Sequence, residues 1–230
     1  VMNTVFLFVA CHLHAHQGAY GARMEDVKRI FCAGSKTPTD CLRSYDRIFF
    51  FGDMNFRVDM TRSELDDCLA RGKLEQGLSL DQLTVGRAGQ HPRPVQPDPD
   101  IAEPAAPYAL SEAAKLGLDV MRQFREPRIC FGPTYKFDVG TLMYAAGGKA
   151  RVPSWTDRIL YWAVDEGVDS EVQPWKIVPR SYTWIPKLLI SDHIPVVGQF
   201  EVALNLPAAV RASVKQLASG KVASAMCVLQ

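Results

Sequence analysis

The sequence predicts an α/β or α+β sandwich around a shared core. Short apolar runs with strand character alternate with helical stretches along one chain. The composition, 47% hydrophobic and 22% charged over 230 residues, supplies apolar side chains for one large domain or two small ones. It is that of a globular protein, not of a disordered, collagen-like or coiled-coil chain.

Val5–Cys11 is an unbroken apolar run, expected to be a strand buried on both faces. Arg23–Cys32 carries helical spacing through Val27, Ile30 and Phe31, with Gly34 as a stop. Ile48–Phe51 is a second buried strand that ends at Gly52. Thr61-Arg62-Ser63-Glu64 has capping-box form and opens a helix through Leu65, Cys68 and Leu69, closed by Gly72. Residues 91–107 hold six of the 15 prolines and predict an exposed extended loop. Helical spacing resumes from Leu110 to Phe124. Strands are expected at Ile129–Phe131, Arg158–Trp162 and Ile194–Leu204. Beyond Leu204 the chain has Arg211, Lys215 and Lys221 and no Asp or Glu, and predicts a weak helix or loose tail.

The charge is nearly balanced, 26 Lys and Arg against 25 Asp and Glu, which argues against a protein that coats nucleic acid. No apolar run approaches the ~20 residues of a membrane span, and no secretory signal is expected. The chain begins at Val1, so a fragment of a longer protein is expected. Its six cysteines include no C-x-x-C pair, which favours reduced thiols over disulfides or zinc.

Four polar clusters fall at strand ends, where a sheet opens to solvent. His12-Leu13-His14-Ala15-His16 follows the first strand; too few other histidines remain for a dinuclear zinc site. Gly52-Asp53-Met54-Asn55-Phe56-Arg57 follows the second. Alternation there puts Asp53 and Asn55 on one face, a carboxylate and an amide able to hold an attacking water and a phosphoryl oxygen. Pro153-Ser154-Trp155-Thr156-Asp157-Arg158 and Ser191-Asp192-His193-Ile194-Pro195-Val196 lead into later strands. Asp157 can orient the His193 imidazole and support its protonated form.

Together these blocks resemble the inositol polyphosphate 5-phosphatases. The matching segments are CHLHAH (11–16) with Arg23 and Asp26, FFGDMNFR (50–57), DQL (81–83), PTYKFDVGT (133–141), KARVPSWTDRILYW (149–162) and SDHIPVVGQF (191–200). The resemblance implies a four-layer deoxyribonuclease-I-like sandwich, two mixed sheets flanked by helices, and a Mg²⁺-dependent phosphatase. It implies that Asp53 positions or deprotonates water and that Asn55 stabilises the transition state. His193, oriented by Asp157, would contact the scissile phosphate and transfer a proton, and His12 would hydrogen-bond that phosphate. Asp192 would lie beside the metal. Arg57, Tyr135, Lys136, Lys149 and Arg151 would bind the phosphorylated ring. The family's opening strands, with the principal Glu ligand of the metal, have no counterpart before Val1. The expected organisation is a catalytic domain over 1–204, lacking its first strands and carrying an insertion over about 86–108, then a basic tail over 205–230.

Cys227-Val228-Leu229-Gln230 is a C-a-a-X ending that predicts farnesylation of Cys227. The resulting expectation is a cytoplasmic, peripherally membrane-bound monomer that removes the 5-phosphate of phosphatidylinositol 4,5-bisphosphate or 3,4,5-trisphosphate. The alternatives are a soluble inositol polyphosphate 5-phosphatase, a nuclease-like phosphodiesterase and a catalytically impaired lipid-binding or scaffold fragment. Neutral overall charge and the Tyr135-Lys136 and Lys149–Arg151 blocks speak against the nuclease.

Overall fold

The computed structural model of the protein describes residues 4–33, 37–90, 92, 110–147, 150–164 and 177–204, and the backbone of 224–228. The first sheet is built on strand β2 (Arg47–Asp53). Its parallel neighbour is β1 (Phe6–His12), and β3 (Asp157–Ala163) lies antiparallel on its other side. The Ile-Phe-Phe-Phe run explains why β2 is central. With side chains alternating across the strand, Ile48 and Phe50 face one apolar cluster, and Phe49 and Phe51 face another.

The first cluster lies under helices α1 (Tyr20–Cys32), α2 (Pro38–Arg43) and α6 (Glu112–Gln123). Phe50 packs edge-on against Phe31 at 5.3 Å and beside Phe124 at 5.8 Å. Burying one such ring contributes about 1.5–3 kcal/mol. Helices α1 and α6 meet backbone to backbone at Gly117, where a Cβ would stand 1.8 Å from the Met24 carbonyl oxygen. Ser111 caps α6, accepting from the Ala114 N–H at 3.1 Å.

The second cluster joins this sheet to an antiparallel one, ordered β4 (Ile177–Trp184), β5 (Val196–Val202), β6 (Ser224–Val228). Phe200 of β5 bridges them, with its ring 5.2 Å from Phe49 and 5.6 Å from Tyr161. Helix α3 (Arg62–Ala70) starts at the capping box expected from Thr61 and Glu64 and adds Leu65 and Cys68 to this cluster. The short helices α4 (Leu74–Leu78) and α5 (Gln82–Arg87) follow, the latter capped by Asp81.

A charged cluster is sunk beside this core. Arg158 forms a two-pronged ion pair with Glu126, at 2.6 and 2.7 Å, and a third bond to Asp81 at 2.9 Å. Burial disfavours its charge, but the two carboxylates raise its pKa well above the ordinary arginine value. The Tyr182 hydroxyl donates to Glu126 and accepts from the Ile159 N–H, tying β3 to β4.

Several expectations need correction. β1 is not buried on both faces: Phe8 is 54% exposed, because β1 is the edge of its sheet among the described strands. Ile129–Phe131 is irregular and pairs with no described strand. The ladder contact there is a single bridge from Arg125 to Tyr161. β5 begins at Val196 because the segment before it turns to meet Thr134 and Tyr135. β4 was not expected, since its burial alternates irregularly across a bulge between Pro179 and Ser181. Gly86 and Arg87, assigned to an insertion, close α5, with Gly86 packed on the Tyr20 hydroxyl. The proline-rich segment otherwise lies outside the described residues, as do 205–223. The last stretch is not loose: Gly198 pairs with Cys227 across β5 and β6. The five described cysteines are free thiols, with Cys130 exposed. No described helix is long and apolar enough to cross a membrane.

Candidate active site

Strand register assembles the centre of the site. His12 lies opposite Asp53 at the ends of parallel β1 and β2, and Asp53 lies opposite Asp157 at the start of β3. One row of the sheet therefore carries all three. Tyr135 brings in the rest: it bridges to Ser154 on one side and to His193 on the other. The Thr134 carbonyl accepts from the Ile194 N–H at 2.9 Å.

His193 sits between two carboxylates. Its Nδ1 is 2.9 Å from Asp157 Oδ2, and its Nε2 is 3.9 Å from Asp53 Oδ2. His12 Nε2 approaches the same Asp53 oxygen at 3.4 Å. Burial works against the His193 imidazolium. The hydrogen bond and charge of Asp157, with Asp53 and Asp192, outweigh it and hold the pKa above the usual histidine value. Asp53 is shifted upward by burial first and by the Asp157 charge second, against the pull of His193, the Asn55 N–H and His12. The result is a carboxylate with raised proton affinity beside an imidazole that favours its charged form. That pairing suits acid–base work.

The Asp53–Arg57 turn departs from the alternation expected of it. Gly52 leaves the strand at φ +129°, where a Cβ would meet the Cys11 carbonyl oxygen at 2.1 Å. Asn55 adopts φ +54°, so it is not extended, and its N–H donates to Asp53 Oδ1 at 3.0 Å. Its side chain is turned inward. Nδ2 donates to the Leu13 carbonyl at 2.9 Å, and Oδ1 accepts from Arg57 at 2.6 Å. Arg57 is buried too, with its guanidinium 4.8 Å from the Tyr135 ring centre. No described carboxylate pairs with it. Tyr135 in turn lies 4.5 Å from the His193 ring.

At the rim, Lys136 donates to Asp192 at 2.8 Å. Burial opposes the ionised Asp192, but this bond and the Lys136 charge depress its pKa below the usual carboxylate value. Arg151 is half-buried, and its charge is felt at Lys136. Lys149 lies outside the described residues. The three histidines of 12–16 do not converge. His14 pairs with Asp26 at 2.5 Å, and His16 turns away at φ +76°. A hollow of about 490 Å³ is lined by His12 together with Cys11, His14, Asp26 and Ile30. Among the described residues no group of three or more His, Cys, Asp and Glu side chains converges to hold a metal ion.

Four contributors escaped the sequence reading. Thr134 and Thr156 each donate to Asp157 Oδ2, at 2.6 and 2.9 Å, so that oxygen receives three bonds counting His193. Arg62 of α3 grips the Ala145 and Arg151 carbonyls at 2.8 and 3.1 Å and holds the rim loop. Gln82 links the loop after β1 to the Asn55 turn: it donates to the Gln17 carbonyl and accepts from Arg23 and from the Arg57 N–H. The threonines stand inside the quoted blocks beside Asp157 and Tyr135, and that adjacency was the available signal.

The chain is similar to known proteins in sequence and in fold. The profile of the Endonuclease/Exonuclease/phosphatase family 2 matches residues 1–93 and 110–199. The chain is 31% identical over 199 residues to inositol-1,4,5-trisphosphate 5-phosphatase 1 of Schizosaccharomyces pombe, covering 86% of the chain and 15% of that protein. It is 31% identical over 215 residues to phosphatidylinositol polyphosphate 5-phosphatase type IV of Homo sapiens, covering 88% and 28%. The crystal structure of the inositol polyphosphate 5-phosphatase domain of SPsynaptojanin, in complex with inositol (1,4)-bisphosphate and calcium ion, superposes with a TM-score of 0.63. There the identity is 29%, with 94% of this chain and 52% of that one covered. The chain thus spans about half of that solved domain and far less of the curated relatives. Its fold is the deoxyribonuclease-I-like α/β sandwich expected from the sequence. The profile match covers most of the chain and includes every strand from β1 to β4, so the chain belongs to the Endonuclease/Exonuclease/phosphatase family 2.

Proposed function

We propose that the protein is a phosphoric monoester hydrolase that removes the 5-phosphate from an inositol phosphate, with phosphoinositides such as phosphatidylinositol 4,5-bisphosphate or 3,4,5-trisphosphate as substrates. The observation that carries this reading is His193 held between Asp157 and Asp53. In the proposed reaction a water oxygen bonds to phosphorus as the bond from phosphorus to the ring oxygen breaks. Asp53 receives the water proton. His193, charged and fixed by Asp157, contacts the phosphoryl group and supplies the proton with which the ring oxygen leaves as an alcohol. His12 adds a hydrogen bond to the phosphate. Asn55 holds the turn, and a direct contact would use its one remaining amide N–H. Tyr135, Lys136 and Arg151, with Lys149, would take a neighbouring ring phosphate. Lys136 must first leave Asp192.

Mg²⁺ belongs to the same proposal, and the SPsynaptojanin complex contains calcium. The described residues do not fit a complete site for such an ion: Asp192 is engaged by Lys136, and no three-ligand group converges. No step is routed through it. That misfit favours a second reading, a catalytically impaired fragment that binds inositol lipids without turning them over. A soluble inositol polyphosphate substrate is supported by the name of the S. pombe relative. Farnesylation of Cys227, and with it a cytoplasmic, membrane-peripheral location, is part of the same proposal and rests on the C-a-a-X ending.

The deciding experiment is phosphate release from a panel of inositol lipids and soluble inositol phosphates with Mg²⁺ added. Turnover that disappears in Asp53→Ala and in His193→Ala is expected. Turnover retained by both variants would sink the site assignment. Ligand binding without turnover would select the impaired fragment.

A further inference from the structure

Four of the seven exposed large apolar side chains among the described residues share one edge of the site. They are Val139 at 64%, Leu142 at 52%, Met143 at 69% and Ile190 at 86%. The first three form the tip of a turn. Its base is closed by the Phe137–Tyr144 bridge, by the Asp138 N–H donating to the Met143 carbonyl and by the stacked Phe137 and Tyr144 rings, 4.4 Å apart. The Tyr144 hydroxyl anchors that base to the Pro133 carbonyl. Ile190 stands on the neighbouring loop, joined to the turn by the Gly140 N–H donating to the Leu189 carbonyl at 2.8 Å. Both loops run straight into the site: Lys136 precedes the turn, and Phe137 N–H donates to the Asp192 carbonyl.

Single exposed apolar side chains need no explanation, but a cluster beside a site does. These are protruding points on a braced turn rather than a flat face, which suits insertion between lipid chains better than packing against a folded partner. The charges agree. Asp192 is paired with Lys136, Asp138 is the one carboxylate on the turn, and exposed Lys187 and half-buried Arg151 adjoin the two loops. Apolar tips with Lys187 and Arg151 outnumbering the one unpaired carboxylate, Asp138, fit a bilayer leaflet containing anionic lipid.

We infer that the 138–143 turn and the Leu189–Ile190 tip insert into an anionic lipid leaflet and seat the mouth of the site on the membrane, independently of any lipid on Cys227. This deepens the proposed function, since it concerns how that site would meet a lipid substrate. Binding can nonetheless be read without turnover.

The test uses the full 230-residue chain, produced without prenylation, and vesicles of phosphatidylcholine with about 20% phosphatidylserine. Co-sedimentation of the unaltered protein should be weakened about tenfold or more in the Leu142→Ser/Met143→Ser/Ile190→Ser variant, because each buried aliphatic side chain contributes on that scale. Leu116→Ser, an exposed apolar residue on α6, should bind like the unaltered protein. If the unaltered protein does not bind these vesicles, or if the triple variant binds as well as it does, the inference is overturned. Hydrolysis of a soluble inositol phosphate by the triple variant at the unaltered rate shows that the site is intact and that only the membrane contact was lost. A loss in both assays, with an unchanged thermal midpoint, would instead place these residues in the site and overturn the membrane role. Failure of the unaltered protein to hydrolyse any substrate while vesicle binding behaves as expected would reject the phosphatase reading and leave the membrane contact standing.

Discussion

At the scale of single residues, the site depends on what Asp157 does to His193. Replacing Asp157 with Asn keeps the shape but removes the charge that raises the imidazole pKa against its burial. If catalysis needs the imidazolium, the alkaline limb of the kcat/KM profile of Asp157→Asn should move to lower pH, with kcat down about 10²–10⁴-fold. An unmoved limb would show that Asp157 does not set the His193 pKa. Asp59 offers a second residue test, on stability. It is buried, accepts bonds from Gln17 and Gln82 on one oxygen, and has no partner on the other. Burial, helped by Asp81 and opposed by the two glutamines and Arg23, pushes its pKa up to about 7 from 3.8. A raised carboxyl pKa means that the folded state holds a proton the unfolded chain has lost. Asp59 therefore costs stability progressively as pH rises from about 4 to 7, on the order of 4 kcal/mol in all, and its effect is flat outside that window. Asp59→Asn should be more stable than the unaltered protein at pH 8 in urea titrations and equal to it near pH 3. A variant less stable at pH 8 would contradict the assignment.

At the scale of elements, β3 and the segment before α5 are locked by Arg158. Arg158→Met leaves buried Asp81 without its cation and Glu126 with only Arg87, at 3.7 Å, and the expected loss is about 3–5 kcal/mol in denaturant titration. Replacing all three with apolar residues of similar volume should recover much of that loss, because unpaired charge is the costly state. The α1–α6 contact makes a second element-scale case. Gly117→Val has no room beside the Met24 carbonyl and should separate the two helices, lowering the thermal midpoint while leaving the far-UV helix signal largely in place.

At the scale of the molecule, the site straddles two sheets. Asp53 and Asp157 belong to the first, whereas His193 leads into β5 of the second. Phe200, packed on Phe49 and Tyr161, is a main tie between them. Phe200→Ala is expected to cost about 3–5 kcal/mol. It should also reduce kcat under conditions where the protein is still folded by circular dichroism, since a small shift between the sheets opens the Asp157–His193 contact. Full activity at unchanged fold would separate the site from the sandwich. Much of this architecture was legible beforehand. The Ile48–Phe51 run is long enough in apolar residues to require burial on both faces, and Thr61 with Glu64 satisfies its own helix end locally. Residues 129–131 and β4 were misjudged because an apolar triplet does not specify a pairing partner and a bulge erases the period-two signal. The same limit hid Thr134 and Gln82, whose importance lies in what they touch across 23 and 65 positions of chain.

By itself, the sequence determined which family the protein resembles and where its central strand and capped helices lie, because side-chain type, hydrophobic period and capping are local properties. The tertiary structure decided that His12, Asp53 and Asp157 form one row and that His193 is held between two carboxylates. It also decided that Asn55 and Arg57 turn inward, that Lys136 neutralises Asp192, and that the apolar turn at 138–143 stands beside the mouth of the site. Each of these depends on register and on the stacking of two sheets, and distances of 3 to 4 Å between groups far apart in the chain exist only once the sandwich has closed.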